Sequence, residues 1–467
     1  MKYADLQYLL VPLPEAIAKE KWAGHYDKAR KRIAAYLERE DTELALRRRL
    51  ELELVNLDVF EERYTVSEDE ALAILKEQIP DMTAEELEKL RMEDKVDWMY
   101  VNGKVRYIDS FRNTLIKVYP QMWERAGLTE DPFDFSAVQN YLEQAESGKS
   151  YTAHIHIRHE LRIGDAALKE GAPIRVHMPL PQERDGISNF KMIHCSHKPA
   201  YTSNADAPQP TIYFEEKAEK GQIFVLEYEL DNTMPYRSVE DMEKICKDMT
   251  MQDLAPTKMT DTVREALLEE KPHIVFTPYL RALCEELKGD ETNPLKIARR
   301  FYDFVTTKED YRFMREYSSV DSLTEYSTLG RRGDCGILSL VFITLCRIAG
   351  IPAQWQSGLE AEPNAVGEHD WAMFYLPELG WMYSDLSGGS VAYARKEFSR
   401  WNFFFGNVDP YRIPTNNRFQ RDFYPEKKHW RKDPYDNQCG EIEYEDCGVV
   451  GSSLIRSFAP VEIYLKK

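Results

Sequence analysis

The sequence predicts a mixed helix-and-strand protein in which the two kinds of element are segregated along the chain. Three observations predict this. Residues 1–150 carry helix-start signals and dense charge. Residues 151–240 carry short alternating runs broken by Gly, Pro, Asn and Asp. From residue 241 to 467 helical periodicity returns, followed by further strand-like runs. A length of 467 residues suits several folding units rather than one.

In the first part, Ser67-Glu68-Asp69-Glu70 and Thr83-Ala84-Glu85-Glu86 match the capping box. There the hydroxyl accepts from a free backbone N–H and the glutamate three positions on reaches back. Asn102-Gly103 lies between Trp98-Met99-Tyr100 and Val105-Arg106-Tyr107-Ile108, and Asn-Gly tolerates the positive φ angles of a tight hairpin. The order helix, helix, hairpin is that of a winged-helix module, but the charge balance, discussed below, argues against a DNA partner.

In the second part, His154-Ile155-His156-Ile157-Arg158 alternates, as does Leu226-Glu227-Tyr228-Glu229-Leu230 after Phe224. Arg175-Val176-His177-Met178-Pro179-Leu180-Pro181 lies between these runs. Short alternating runs separated by turn residues predict an antiparallel β-sandwich over 151–240, with Thr202 to Gln209 as an exposed loop.

In the third part, Asn293-Pro294 opens a helix through Leu295, Ala298, Phe301, Tyr302 and Val305, because proline is tolerated where the first helical N–H has no partner. A second, apolar helix spans 335–349 and is ended by Gly350 and Pro352. Strands are expected at 353–356, 371–375 and 381–383, with Pro377-Glu378-Leu379-Gly380 turning between the last two. An aromatic extension follows to residue 467. No fixed-period repeat is present.

Composition excludes several classes. Counting 61 basic and 80 acidic residues gives 61 − 80 = −19, the wrong sign for a phosphate-backbone binder, so no nucleic-acid partner is expected. The longest apolar stretch, Gly336 to Cys346, is far shorter than the roughly 20 residues a bilayer needs. No membrane association is expected. The start, Met1-Lys2-Tyr3-Ala4-Asp5, is unlike a secretory leader. Seven scattered cysteines (195, 246, 284, 335, 346, 439 and 447) read as reduced thiols, although Cys439 and Cys447 could bridge a hairpin. The expected location is the cytoplasm.

The chemistry concentrates in Gly333-Asp334-Cys335-Gly336, His369 and Asp385, with spacings of 369 − 335 = 34 and 385 − 369 = 16. Cys335 stands where a loop becomes a helix, facing free N–H groups and the positive end of the helix dipole, both of which favour thiolate. A free cysteine titrates near 8.5, so only about 3% is thiolate at pH 7, and helix N-termini or an imidazolium lower that value. The flanking glycines would let a substrate backbone approach. His369, beginning a strand after the flexible segment 362–367, can pair with the thiolate and protonate a leaving amine. Asp385, across the turn, can fix the imidazole's tautomer. Asp370 is the poorer candidate for that role, since neighbours in a strand point to opposite faces.

This constellation resembles the transglutaminase-like superfamily of papain-type cysteine enzymes over roughly residues 290–390. The features that carry the resemblance are the Gly-x-Cys helix start, the helix exit Ala349-Gly350-Ile351-Pro352-Ala353, His369 with Trp371, and Pro377-Glu378-Leu379-Gly380-Trp381 leading to Asp385. The resemblance implies an α+β fold with the nucleophile helix on an antiparallel sheet. In bacterial members a sandwich often precedes that core. It assigns Cys335 as nucleophile, His369 as general base and acid, and Asp385 as the orienting residue. The family often has a small residue where Asp370 stands here. The backbone N–H of Cys335 should supply one oxyanion donor, and Tyr326 is the candidate for the second.

The reading that follows is a bacterial, cytoplasmic cysteine hydrolase of peptidase or amidase type. It would act on a peptide or other amide through a thioester on Cys335, with no cofactor. The rivals are acyl transfer to an amine acceptor and a non-catalytic module that binds a peptide or protein partner. Trp355, Trp371, Trp401, Phe404 and Tyr411 are candidates for the cleft wall. Cys346 is expected to be core. His154 with His156, and His194-Cys195-Ser196-His197, look ligand-like but lack a full metal-ligand set. The tail Arg418 to Trp430 is expected at the surface.

Overall fold

The computed structural model describes residues 3–129, 133–429, 431 and 434–466. In the N-terminal part, helices pack around Tyr26, Phe60, Tyr64, Tyr107 and Phe111. The hairpin of Trp98–Val101 and Lys104–Tyr107 forms about Asn102-Gly103, whose φ angles are 51° and 71°. Ser67 makes the reciprocal capping box with Glu70, and Thr83 caps through the N–H of Glu86.

Two antiparallel sheets form the sandwich. One has the order Leu454–Leu465, Ser150–Ile163, Phe224–Pro235, Ile187–Cys195. The other runs Gly448–Val449, Glu441–Tyr444, Pro173–Pro179, Thr211–Lys217, Tyr201–Thr202. Alternating residues such as Ile155, Ile157, Val176, Met178, Leu226 and Ile442 fill the space between them. The expected division at residues 240 and 241 therefore needs correction. The span 241–467 does not stay together, because its strands from Glu441 to Leu465 return to the sandwich and supply members of both sheets. No local signal marks this, since their partners lie far back in the chain.

In the remaining region, five antiparallel strands lie in the order Phe405–Gly406, Gly380–Ser384, Ala365–Leu376, Ala353–Glu362, Arg412–Asn416. The helix Cys335–Ala349 packs on this sheet and is apolar on every side: Ile337, Leu338, Leu340, Val341, Phe342, Ile343, Leu345 and Cys346 are all 0% exposed. A helix of that kind belongs at the centre of a fold. It ends at Gly350, in the left-handed conformation at φ 88°. The helix Pro294–Lys308 flanks it, and Oδ1 of Asn293 caps the N–H groups of Leu295 and Lys296.

Two further expectations are corrected. The segment 362–367 is not a flexible leader to His369. The pairing of Ala353–Glu362 with Ala365–Leu376 runs to Glu362↔Ala365, so His369 lies inside its strand, opposite Gly358. The tail from Arg418 is not a surface segment either. Phe419 packs on Trp355 and Tyr435, and Phe423 stacks on His177. Trp430 lies outside the described residues.

The N-terminal helices meet the central region at several points, among them residues 315–321, the Arg332–Asp94 pair and the Tyr119–Asp310 contact. Arg315 donates to Tyr64, Arg63 to Glu316, and Arg49 to Asp321. Tyr317, within that stretch, reaches the start of the Cys335 helix.

Candidate active site

Cys335 is the first residue of its helix. Its predecessor Asp334 is the cap, with Oδ1 accepting from the N–H of Ile337 at 3.1 Å and from the hydroxyl of Tyr317. The residue is half-buried. Its sulfur donates to Oδ2 of Asp370 at 3.2 Å. Among the described residues no hydrogen bond joins Cys335 to His369. The strand alternates as expected: His369 and Trp371 share one face, while Asp370, Ala372 and Phe374 face the other, against the cysteine helix.

Electrostatics around the sulfur favour thiol. Enough protein surrounds Cys335 for burial to be the largest influence raising its pKa, and the carboxyls of Asp370 and Asp334 push it the same way, well above the ordinary thiol range. The helix dipole acts in the opposite direction. Burial, Asp436 and Asp334 also push the Asp370 carboxyl well up, against the lowering effect of the thiol's hydrogen bond.

On the other face of the strand, Nε2 of His369 lies 2.8 Å from Oδ2 of Asp385. Asp385 follows the strand Gly380–Ser384 and caps the helix Leu386–Ala394 by accepting from the N–H of Gly388 at 2.8 Å. The Ser387 hydroxyl donates to the same Oδ1 at 3.1 Å, and Arg412 pairs with Oδ2 at 3.1 Å. Burial alone would raise the Asp385 carboxyl, but His369, Arg412 and the Gly388 N–H outweigh it and hold the group well below the usual carboxylate range. The imidazole thus has a fixed anion behind Nε2, which leaves Nδ1 to exchange a proton.

The other residues named from the sequence lie elsewhere. Tyr326 sits beneath the guanidinium groups of Arg315 and Arg332, with its hydroxyl buried and unpaired. The tyrosine beside the cysteine is Tyr317, whose Oη is 2.2 Å from where a Cβ on Gly336 would stand. Nearby are Cη2 of Trp355 at 2.7 Å and Oδ2 of Asp370 at 2.9 Å from the same point. The room that Gly336 leaves is filled by these three side chains, not left to a substrate backbone.

The proposed cleft aromatics are mainly packing residues. Trp355 is 2% exposed, and Trp371 is fully buried with its indole N–H donating to Gln356 at 2.8 Å. Phe404 is buried beside Gly388, and Tyr411 belongs to the sandwich core. Trp401 lies against the helix Pro294–Lys308, with Nε1 donating to Thr306 and Arg299 over its ring at 4.3 Å.

The residues that sequence reasoning missed are Tyr317, Asp436 and Gln438. Nε2 of Gln438 donates to Oδ1 of Asp370 at 2.8 Å and to the carbonyl of His369 at 2.9 Å. None carries a local motif. Among the described residues no group of three or more His, Cys, Asp or Glu side chains is arranged to hold a metal ion. His154 and His156 instead pair with Asp231 and Glu227.

Comparison with known proteins places this region. Residues 281–386 match the model of the transglutaminase-like superfamily. An uncharacterized protein of Haemophilus influenzae is 25% identical over 190 residues, 34% of this chain and 52% of its own length, so the chain spans about half of that curated relative. Among solved structures, a candidate cysteine protease from Cytophaga hutchinsonii aligns over 68% of this chain and 90% of its own, with 11% identity and a TM-score of 0.41. The periplasmic domain of TgpA from Pseudomonas aeruginosa aligns over 56% and 94%, with 15% identity and a TM-score of 0.30.

Proposed function

The chain carries a transglutaminase-like core, and from that premise we propose that it is a cysteine-dependent amide-bond hydrolase of peptidase or amidase type. Sγ of Cys335 bonds to the carbonyl carbon. For this step the thiol leaves its hydrogen bond to Asp370 and the Cys335 side chain turns toward the edge of the His369 strand, where its proton passes to Nδ1 of His369 and on to the departing amine as the C–N bond breaks, leaving a thioester. Water then forms the C–O bond, the S–C bond breaks, and the proton returns to sulfur. Asp385 keeps Nε2 protonated throughout. In this reading the N–H of Cys335 donates to the developing oxyanion. An amine in place of water would make the second step an acyl transfer. We place the reaction in a reducing compartment such as the cytoplasm, where the seven cysteines stay reduced.

The observation that supports this reading is the 2.8 Å His369–Asp385 pair in the strand that packs against the Cys335 helix. A p-nitrophenyl ester tests it. The acyl group should be found on Cys335 by mass spectrometry. Phenolate release should fall at least a hundredfold in Cys335→Ala and in His369→Ala, and a peptide-amide panel then reads the natural chemistry. Release unchanged in Cys335→Ala, or acyl carried elsewhere, overturns the reading.

The second reading, a binding module without turnover, is favoured by the Cys335–Asp370 contact and the carboxyls that keep the sulfur protonated. It predicts no acyl-enzyme at any pH and an unchanged partner affinity in Cys335→Ala.

A further inference from the structure

We propose that Asp370, aimed by Gln438, holds the Cys335 proton at rest, so that this carboxyl and not His369 sets how readily the sulfur ionises. The inference rests on the site assignment above and adds where the thiol proton lies before reaction. Its first support is geometric. Both oxygens of Asp370 are used: Oδ2 accepts from the thiol at 3.2 Å, and Oδ1 accepts from Nε2 of Gln438 at 2.8 Å. A carboxyl gripped at both oxygens cannot rotate away from the sulfur, and the second donation of Gln438, to the His369 carbonyl at 2.9 Å, fixes the strand at the same point.

The second support is the rigidity of the segment that presents Gln438. The carbonyl of Tyr435 accepts from Gln209 at 2.7 Å and from the N–H of Gln420 at 2.6 Å. The Tyr435 hydroxyl meets Nε2 of His273 at 2.9 Å. Arg431 donates to the Asp436 carbonyl, and the N–H of Asn437 donates to Asn416 at 3.1 Å. Tyr435, Asp436 and Asn437 are buried, whereas Gln438 is half-buried at the end of this anchored run. A residue on so fixed a base can position its neighbour.

The third support is the charge that surrounds the pair. Asp334 comes from the helix cap and Asp436 from the C-terminal segment. Tyr317 and Tyr311 lie on the stretches leading to the helix, and both feel the charge of Cys335 and Asp370. His369 and Asp385 stand across the strand. Near the sulfur the groups are acids and neutral hydroxyls, which push both the thiol and the Asp370 carboxyl toward their protonated forms, so the sulfur keeps its proton at rest.

Iodoacetamide labelling of Cys335, followed by mass spectrometry against pH, tests the inference without any need for turnover. In the unaltered protein the rate should reach half its plateau above the ordinary thiol value of about 8.5. In Asp370→Asn or Asp370→Ser, labelling at pH 7 should rise about tenfold or more and the midpoint should fall. Gln438→Met keeps the side chain's shape without its donor and should move the midpoint the same way by less. It leaves the carboxyl unfixed and less well held as an anion. Melting curves confirm that each variant is folded. A midpoint at or below 8.5 in the unaltered protein overturns the inference, and that measurement stands even if a variant does not fold. Labelling unchanged or slowed in folded Asp370→Asn overturns it too, the slowed case because Asp370 would then be an activating base. Faster labelling in Asp370→Asn with no ester turnover would sustain this inference and sink the proposed function. Cys335-dependent turnover with an unmoved midpoint would do the reverse.

Discussion

Arg412 reaches the same oxygen of Asp385 that meets the His369 imidazole, at 3.1 Å against 2.8 Å. Arg412 and Asp385 come from segments that the linear order separates, and both are almost wholly buried. Arg412 also pairs with Glu360 at 2.8 Å and Asp409 at 3.0 Å. One guanidinium therefore serves three carboxylates, and the anion that orients the histidine is part of a buried charge network.

Arg412→Met removes the only charge-balancing group that these contacts give Asp385 apart from His369. Breaking a buried ion pair by removing one partner costs about 3–5 kcal/mol, because the stranded charge cannot regain its water. Equilibrium urea unfolding of the variant should show a loss of that size. A loss within about 0.5 kcal/mol, as for ordinary surface changes, would mean that the network is not closed to solvent as described.

Glu309 predicts a stability change of opposite sign to the usual carboxylate. It is buried after the helix Pro294–Lys308, accepts from the Ser327 hydroxyl at 2.6 Å, and burial pushes its carboxyl up to about 7. The folded state prefers the neutral acid. The stabilisation is full below the unfolded value near 4.3 and is lost as pH rises to about 7. The whole change is about 4 kcal/mol. Glu309→Gln should gain stability over the unaltered protein at pH 8 relative to pH 4.5, measured by urea midpoints at both. Equal differences at the two pH values would sink the assignment.

How much of this was legible in the sequence depends on how local each cause is. The cysteine helix was legible because its start, its apolar run and Gly350 lie within sixteen residues, 335–350. The His369–Asp385 pair was legible because a turn brings adjacent antiparallel strands together. Alternation also showed that Asp370 faces away from His369. It could not show that the start of the Cys335 helix would occupy that other face, because helix-on-sheet placement is set by the whole core. Tyr317 and Gln438 reach the site through anchors on the N-terminal helices and the C-terminal segment, with no motif of their own. The C-terminal strands read as an extension for the same reason: their hydrogen-bond partners, such as His159↔Phe458, lie far back in the chain.

Gly336 gives a steric prediction at the site. An added Cβ would stand under 3.0 Å from Tyr317, Trp355 and Asp370. Trp355 is buried and cannot swing aside, so Asp370 and Tyr317 must give way. Overpacking of this kind costs about 1–3 kcal/mol. Gly336→Ala should therefore melt lower by a matching amount. A variant as stable as the unaltered protein would show that the helix start has slack the distances do not allow.

His273 gives the acid limit of the fold. Its ring is 0% exposed, Nδ1 accepts from the N–H of Leu323 at 3.2 Å, and Nε2 is left to donate to the Tyr435 hydroxyl at 2.9 Å. A second proton would sit on Nδ1, facing that N–H. Burial accordingly lowers its pKa to about 3, and burial lowers that of His159 to about 4. Both rings are neutral when folded and bind a proton once unfolded, near 6.5. Stability should be full above that value and fall as pH drops toward 4 and then 3, with each tenfold rise in proton concentration costing about 1.4 kcal/mol per ring. His273→Gln should be less stable at pH 7 yet show a shallower decline between pH 6 and 4 in urea midpoints. An unchanged slope would mean that His273 takes up its proton within the folded state, and that the Tyr435 anchor beside the site does not depend on a neutral imidazole.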